Sequence, residues 1–275
     1  MVTTLLTGAT GTLGNAVEPR LHAADHDVRA ASRSPPADRA TGSSDSTDWV
    51  AVDLADGTGI GEAVDGVDTI IHAATAPTGD SEAVDLSGTK RLLDAADAAG
   101  IEHFLYVSIV GVDEIPYSYY EYKHAAEDAV EESSVPSTIL RSTQFHSFLD
   151  DLLGALVWLP LWPLPTELQL QPIAVEEAAD EVVELATAGP GGRVDPIGGP
   201  TVHTLGDLLS TYRDVRGRWR PIVRIPIPGA TMRAVRSGSA TCPDRSVGVV
   251  SWEQWLEQQY GSQTAKSPKK TAMDW

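Results

Sequence analysis

Three glycines spaced three apart, Gly8, Gly11 and Gly14, follow a β-prone run at residues 2–7 and open a helical one. In such a turn one glycine permits the reversal, one lets backbone approach a pyrophosphate, and one packs helix against strand. The helix N-terminus then offers free N–H groups and a positive dipole end. Gly8, Thr10, Gly11, Thr12, Leu13 and Gly14 therefore read as a cradle for a dinucleotide. About twenty residues on, an acid would bind a ribose 2′-hydroxyl, whereas an arginine would accommodate a 2′-phosphate. Here the second strand ends Ser32-Arg33, with no acid at its tip. NADP is expected, read by Arg33 and Ser32 with Arg39 nearby, and NAD stays open. Asp53-Leu54 ends the third strand, where a carboxylate can face the adenine amine. Ala73-Ala74 follows the fourth, small enough for backbone to lie against the cofactor. Ser108 ends the fifth, where open sheets place ligand contacts.

These residues need a scaffold, and the rest of the first half supplies it. Residues 2–7, 28–32, 50–52, 67–72, 104–108 and 138–140 read as short strands. Helical patterns fall between them at 12–24, 60–64, 81–99 and 119–132. Strands alternating with helices make parallel βαβ units, hence an α/β fold with a Rossmann-type doubly wound parallel sheet. The alternation weakens after residue 142. Residues 1–142 read as the dinucleotide-binding core and 143–260 as a small C-terminal α/β substrate-binding region folded onto it. Residues 34–47 read as a polar loop and 261–275 as a mobile tail. Gln144, Phe145 and His146, just beyond the sixth strand, are candidate pocket walls. Trp158 and Trp162, set among prolines, fit either an apolar lid or a dimer face; a homodimer stays open.

Composition narrows the partners. The 275 residues carry 39 acidic and 20 basic side chains, a net charge of −19. That field repels phosphate backbones and anionic lipid, so no nucleic-acid or membrane partner is expected, and a small molecule is. Only five of the basic residues are lysine. An acid-rich, lysine-poor surface suits a salt-filled cytoplasm, so a halophilic source is expected. One cysteine, Cys242, forbids an intrachain disulfide, and the histidines lack metal-ligand spacing, so no metal is expected. The first residues carry no charged leader pattern. The longest apolar run, 152–164, is too short for a bilayer and holds Pro160 and Pro163, so the chain reads as cytoplasmic.

With the glycine motif, Asp53-Leu54, residues 103–111, Tyr119-Tyr120-Glu121-Tyr122-Lys123, residues 140–145 and residues 171–175, the chain resembles the atypical short-chain dehydrogenase/reductases of the NmrA-like, NAD(P)H-binding group. The likeness runs over about residues 2–260. It implies a Rossmann domain with a small C-terminal substrate region. It also implies roles. Tyr119 would pass a proton to a carbonyl oxygen. Lys123, four residues on and on the same helix face, would lower the phenol pKa from about 10 and hold the nicotinamide ribose. Ser108 would hold the substrate oxygen. Tyr120 is a rival for the proton role. The resemblance thus implies NADP-dependent reduction of a small apolar carbonyl or quinone. The group also contains non-catalytic NADP(H) sensors and nucleotide-sugar epimerases or dehydratases, which are the alternatives.

Overall fold

The structure, a computed structural model, describes residues 2–36, 47–155, 158–217 and 220–264. Arg39, most of the expected polar loop, and residues 265–275 of the expected tail lie outside the described residues. The first four residues of that tail belong to a helix that runs through Thr264.

The elements of the first half are β1 (Val2–Thr7), α1 (Thr12–Ala23), β2 (His26–Ser32), β3 (Asp48–Ala51), α2 (Ile60–Val64), β4 (Thr69–His72), a π-helical segment (Glu82–Gly88), α3 (Thr89–Ala99), β5 (His103–Ile109), α4 (Ser118–Glu132) and β6 (Ser137–Ser142). The second half adds α5 (His146–Gly154), β7 (Trp162–Leu164), β8 (Gln169–Leu170), α6 (Val175–Ala188), β9 (Gly192–Arg193), β10 (His203–Thr204), α7 (Leu205–Arg216), β11 (Ile222–Arg224), α8 (Ala230–Arg236) and α9 (Trp252–Thr264). Seven parallel strands form the central sheet in the order β3-β2-β1-β4-β5-β6-β9. The order reverses between β1 and β4, and in open sheets ligands bind beyond the strand ends at such a switch. The glycine turn lies there.

The β1, β4 and β5 side chains alternate between two apolar layers, as the twofold strand repeat requires. Leu5, Ile70, Phe104 and Tyr106 pack under α2, α3 and α4. Leu6, Ile71 and Leu105 pack under α1 and α6. Leu13, Val17 and Leu21, one helical stripe of α1, meet Ala178, Ala179, Val182 and Ala186 of α6. Thus part of the expected substrate region returns to the core: α6 covers one sheet face and β9 extends its edge.

The remainder forms a third apolar cluster of α5, α7 and α9 around Trp162, Tyr212, Trp252 and Trp255. Trp162 is therefore neither lid nor dimer face; it is core. Trp158 is 79% exposed, and Phe148, Leu152 and Leu161 are exposed as well. Residues 81–99, expected as one helix, begin instead with the π-helical segment before α3 takes over. The latter ends where Gly100 adopts a left-handed φ of 73°.

Candidate functional site

The glycine turn divides into two parts with different causes. Gly8 has φ +71°, and a Cβ there would lie 2.7 Å from the backbone N of Ala74. A Cβ on Gly14 would lie 2.2 Å from the Gly8 carbonyl oxygen, where α1 seats on the turn. These two glycines are demanded by the fold. Gly11 is not: its Cβ would meet only the Gly8 oxygen, at 3.1 Å. The space in front of Gly11 is open, and the first turn of α1 holds no acidic residue. That is the form of a pyrophosphate cradle, with the amide groups of Thr12, Leu13 and Gly14 at the unsatisfied helix start. A dinucleotide fits these residues, and it would supply hydride chemistry at its nicotinamide.

Next to the cradle the Thr10 and Ser32 hydroxyls lie 3.3 Å apart, and Ser32 Oγ also accepts from the Ser34 N–H. Arg33 follows Ser32 in the chain and is exposed. Asp53 spends Oδ1 on capping its own turn through the Ala55 N–H, at 2.9 Å. Leu54 is buried against Gly88, and its carbonyl accepts from Arg91. His72 is fully buried. Its two ring nitrogens contact Thr7 and Thr89 hydroxyls at 2.7 and 2.9 Å, and burial, with Lys123 adding, pulls its pKa to about 3. It is a neutral structural histidine.

Ala73 and Ala74 pass behind Gly8, and the next residue, Thr75, reaches α4. Its hydroxyl is 2.7 Å from that of Tyr119 and 2.5 Å from Oδ1 of Asp85. Tyr119 is 8% exposed, Lys123 3% and Asp85 1%. Lys123 donates to the Val107 carbonyl at 2.8 Å and sits 4.3 Å above the Tyr106 ring. Burial pulls its ammonium down to about 8, while Asp85 and Glu127 hold it up.

Tyr119 stands above its ordinary range, not below it. Burial raises it, the Thr75 hydrogen bond opposes, and the Asp85 charge adds to the rise. The net lowering by Lys123 expected from sequence is not seen: burial outweighs it, and the ammonium donates to Val107 rather than to the phenol. Tyr120 packs edge-on against Tyr119, and burial and Tyr117 push it up to about 12.

Ser108 is buried on the α4 side of β5. Its Oγ makes no well-aligned hydrogen bond, but it lies close enough to Glu127 to help Arg141 keep that carboxyl low against the effect of burial. Glu127 itself takes two bonds from Arg141 and one from Arg193. Gln144 donates to the Ala240 carbonyl, and its own Oε1 is buried without a partner. Phe145 is half-buried and bridges to Ile173. His146 is no pocket wall: it is fully buried against the stacked pair Trp252 and Trp255, 5.6 and 5.7 Å from their rings, and contacts the Val250 carbonyl. Among the described residues no cluster of His, Cys, Asp and Glu could hold a metal, and no helix is long and apolar enough to cross a membrane.

Sequence reasoning missed Thr75 and Asp85. A signal existed for Asp85. Asp85 and Thr89 continue the buried stripe of Leu92, Leu93 and Ala96 at helical spacing, and a carboxylate on an apolar stripe asks for a partner.

The glycine turn at the switch point, joined through one short loop to a buried Tyr–Lys pair, belongs to a Rossmann-type α/β protein. Comparison with known proteins agrees. The chain belongs to the NAD(P)H-binding family, whose model matches residues 8–149. An NADPH-dependent quinone oxidoreductase from Escherichia coli, solved with NADPH, is 18% identical and superposes with a TM-score of 0.77 over 94% of this chain and 99% of that one. A short-chain dehydrogenase/reductase superfamily protein from Agrobacterium tumefaciens with bound NAD is 18% identical, at TM-score 0.71 over 96% and 98%. A nucleoside-diphosphate-sugar epimerase from Staphylococcus aureus is 16% identical, at 0.74 over 93% and 100%. In sequence, an NAD-dependent glucose-6-phosphate dehydrogenase from Haloferax volcanii is 36% identical over 110 residues, 38% of this chain. The match spans 42% of that relative's length.

Proposed function

We propose that this protein is an NAD(P)-dependent oxidoreductase that reduces a small apolar carbonyl or quinone, with Tyr119 as the proton donor and Lys123 holding the nicotinamide ribose. One observation carries the reading: consecutive residues tie the two parts of the site together, since Ala74 closes against Gly8 and Thr75 touches the Tyr119 hydroxyl. A phenol so close to the cradle has a use in proton transfer. Gln144 and Phe145 remain the candidate substrate walls. The test is NADPH and NADH consumption against a panel of quinones and aldehydes, with titration of both cofactors. Tight cofactor binding with no turnover on any carbonyl would favour the second reading, a non-catalytic NADP(H) sensor. The raised Tyr119 pKa and the engagement of Lys123 with Val107 are what support that alternative.

Cofactor preference is a separate proposal, resting on Arg33 beside the Thr10–Ser32 hydroxyl pair. NADPH is expected to bind more tightly than NADH, and Arg33→Ala to erase most of the difference. A charge-assisted contact to phosphate contributes roughly 1.5–3 kcal/mol, about ten- to a hundredfold in affinity. Equal dissociation constants for the two cofactors in the native protein would sink the assignment.

A further inference from the structure

Thr75 joins two short hydrogen bonds, and its single proton decides their direction. A carboxylate can only accept, so with Asp85 ionised the Thr75 proton goes to Oδ1, at 2.5 Å. The Thr75 oxygen must then accept from Tyr119, at 2.7 Å. The phenol proton points toward Thr75, and the other side of the phenol oxygen presents lone pairs. The second Asp85 oxygen accepts from the Ala76 N–H at 3.0 Å, which holds the carboxylate in place. A proton on Asp85 reverses the whole chain. Asp85 then donates to Thr75, Thr75 to Tyr119, and the phenol proton turns outward.

We propose that Asp85 is a positioning residue that determines, through Thr75, whether Tyr119 donates or accepts a proton at the substrate oxygen. The proposal rests on the reading of Tyr119 as the proton-transfer residue. Carbonyl reduction adds a hydride, supplied by the nicotinamide, and one proton. The phenol proton goes to the substrate oxygen, the Thr75 proton to the phenol oxygen, and the Asp85 proton to Thr75. Asp85 is left ionised, and a solvent proton restores it. Oxidation of an alcohol runs the same three transfers in reverse. The carbonyl thus meets the Asp85-protonated form, and the alcohol meets the ionised form. The groups facing Asp85 are Thr75 from the loop after β4, Tyr119 and Lys123 from α4, and Tyr106 from β5. Thr75 is exposed, which opens the chain to solvent.

The first test needs neither cofactor nor substrate. Tyrosinate absorbance of the free protein is titrated, and subtraction of the Tyr119→Phe curve isolates Tyr119. Asp85→Asn removes the charge at nearly constant shape. Tyr119 is expected to ionise at least about one pH unit lower in this variant, a tenfold shift in its equilibrium; an unchanged curve overturns the proposal. The second test is turnover, which Asp85→Asn is expected to lower about 10- to 100-fold in both directions. Thr75→Val, at an exposed site that puts folding at little risk, is expected to lose a similar factor with cofactor Kd unchanged, and Thr75→Ser to restore most of it. Full turnover in Thr75→Val would overturn the relay even if Asp85→Asn failed to fold. If Tyr119→Phe itself keeps full turnover, the functional reading fails. If turnover depends on Tyr119 but not on Thr75 or Asp85, only the relay fails.

Discussion

Replacing Tyr119 with phenylalanine is expected to lower turnover by about 10²–10⁴-fold, the usual size of a general acid–base contribution. Cofactor affinity should hardly change. The ring would keep its packing against Tyr117 and Tyr120, and only the hydroxyl that meets Thr75 is lost. Thr75 is exposed, so water can replace the missing partner and the stability cost stays near 1 kcal/mol. Lys123→Ala should behave differently, harming both turnover and cofactor binding, because it deletes the proposed ribose contact and leaves a cavity beside Asp85 and Tyr106. Steady-state kinetics with fluorescence titration of NADPH separates the two patterns. An active Tyr119→Phe together with a dead Tyr120→Phe would move the proton role one residue along. Two fully active variants would remove the catalytic claim.

The second large effect concerns the glycine turn, where one substitution should abolish binding and two others should damage folding. Gly11→Val places a branched side chain in the open space before the helix start, and its Cβ meets only the Gly8 oxygen, at 3.1 Å. Binding is expected to fall at least about a hundredfold, equal to about 2.7 kcal/mol, while the thermal transition moves little. Gly14→Ala meets backbone at 2.2 Å and Gly8→Ala meets it at 2.7 Å with a left-handed φ. Overpacking costs typically about 1–3 kcal/mol, and in a chain of this size each kcal/mol lowers Tm by roughly 2–4 °C. Calorimetry with and without NADPH distinguishes the classes. Normal affinity in Gly11→Val would show that the cradle is only a turn.

Much of this was legible in the sequence, for reasons that differ by element. The alternation of apolar strands with helical stripes such as Leu13, Val17 and Leu21 gave the sheet, because burial of a repeating face is a local property of the chain. The glycine spacing gave the tight turn, because few other residues tolerate a positive φ or a 2.2 Å approach. The return of α6 and β9 to the core was hidden, since their partners α1 and β6 lie far away in sequence. His146 and Trp162 misled for the same reason: a polar ring or a large indole looks alike on a pocket wall and in a core. The pKa of Tyr119 was misjudged because i, i+4 spacing gives a shared face but does not say where an ammonium finds its acceptor. Here the ammonium donates to the Val107 carbonyl, and burial of the phenol dominates.

The place of α6 has a consequence for how the chain acquires its structure. During synthesis residues 2–142 emerge first, holding β1 to β6 and every proposed cofactor contact. At that stage Leu13, Val17 and Leu21 pack only on the strands beneath them, and the side that meets α6 is uncovered. Each of those side chains contributes about 1.5–3 kcal/mol when fully buried, so losing part of that burial weighs against the roughly 5–15 kcal/mol net stability of an entire domain. The N-terminal half is therefore expected to keep part of one sheet face exposed until residues 175–193 leave the ribosome. Such an intermediate is prone to aggregation. A fragment cut after residue 149 would stall at the same point.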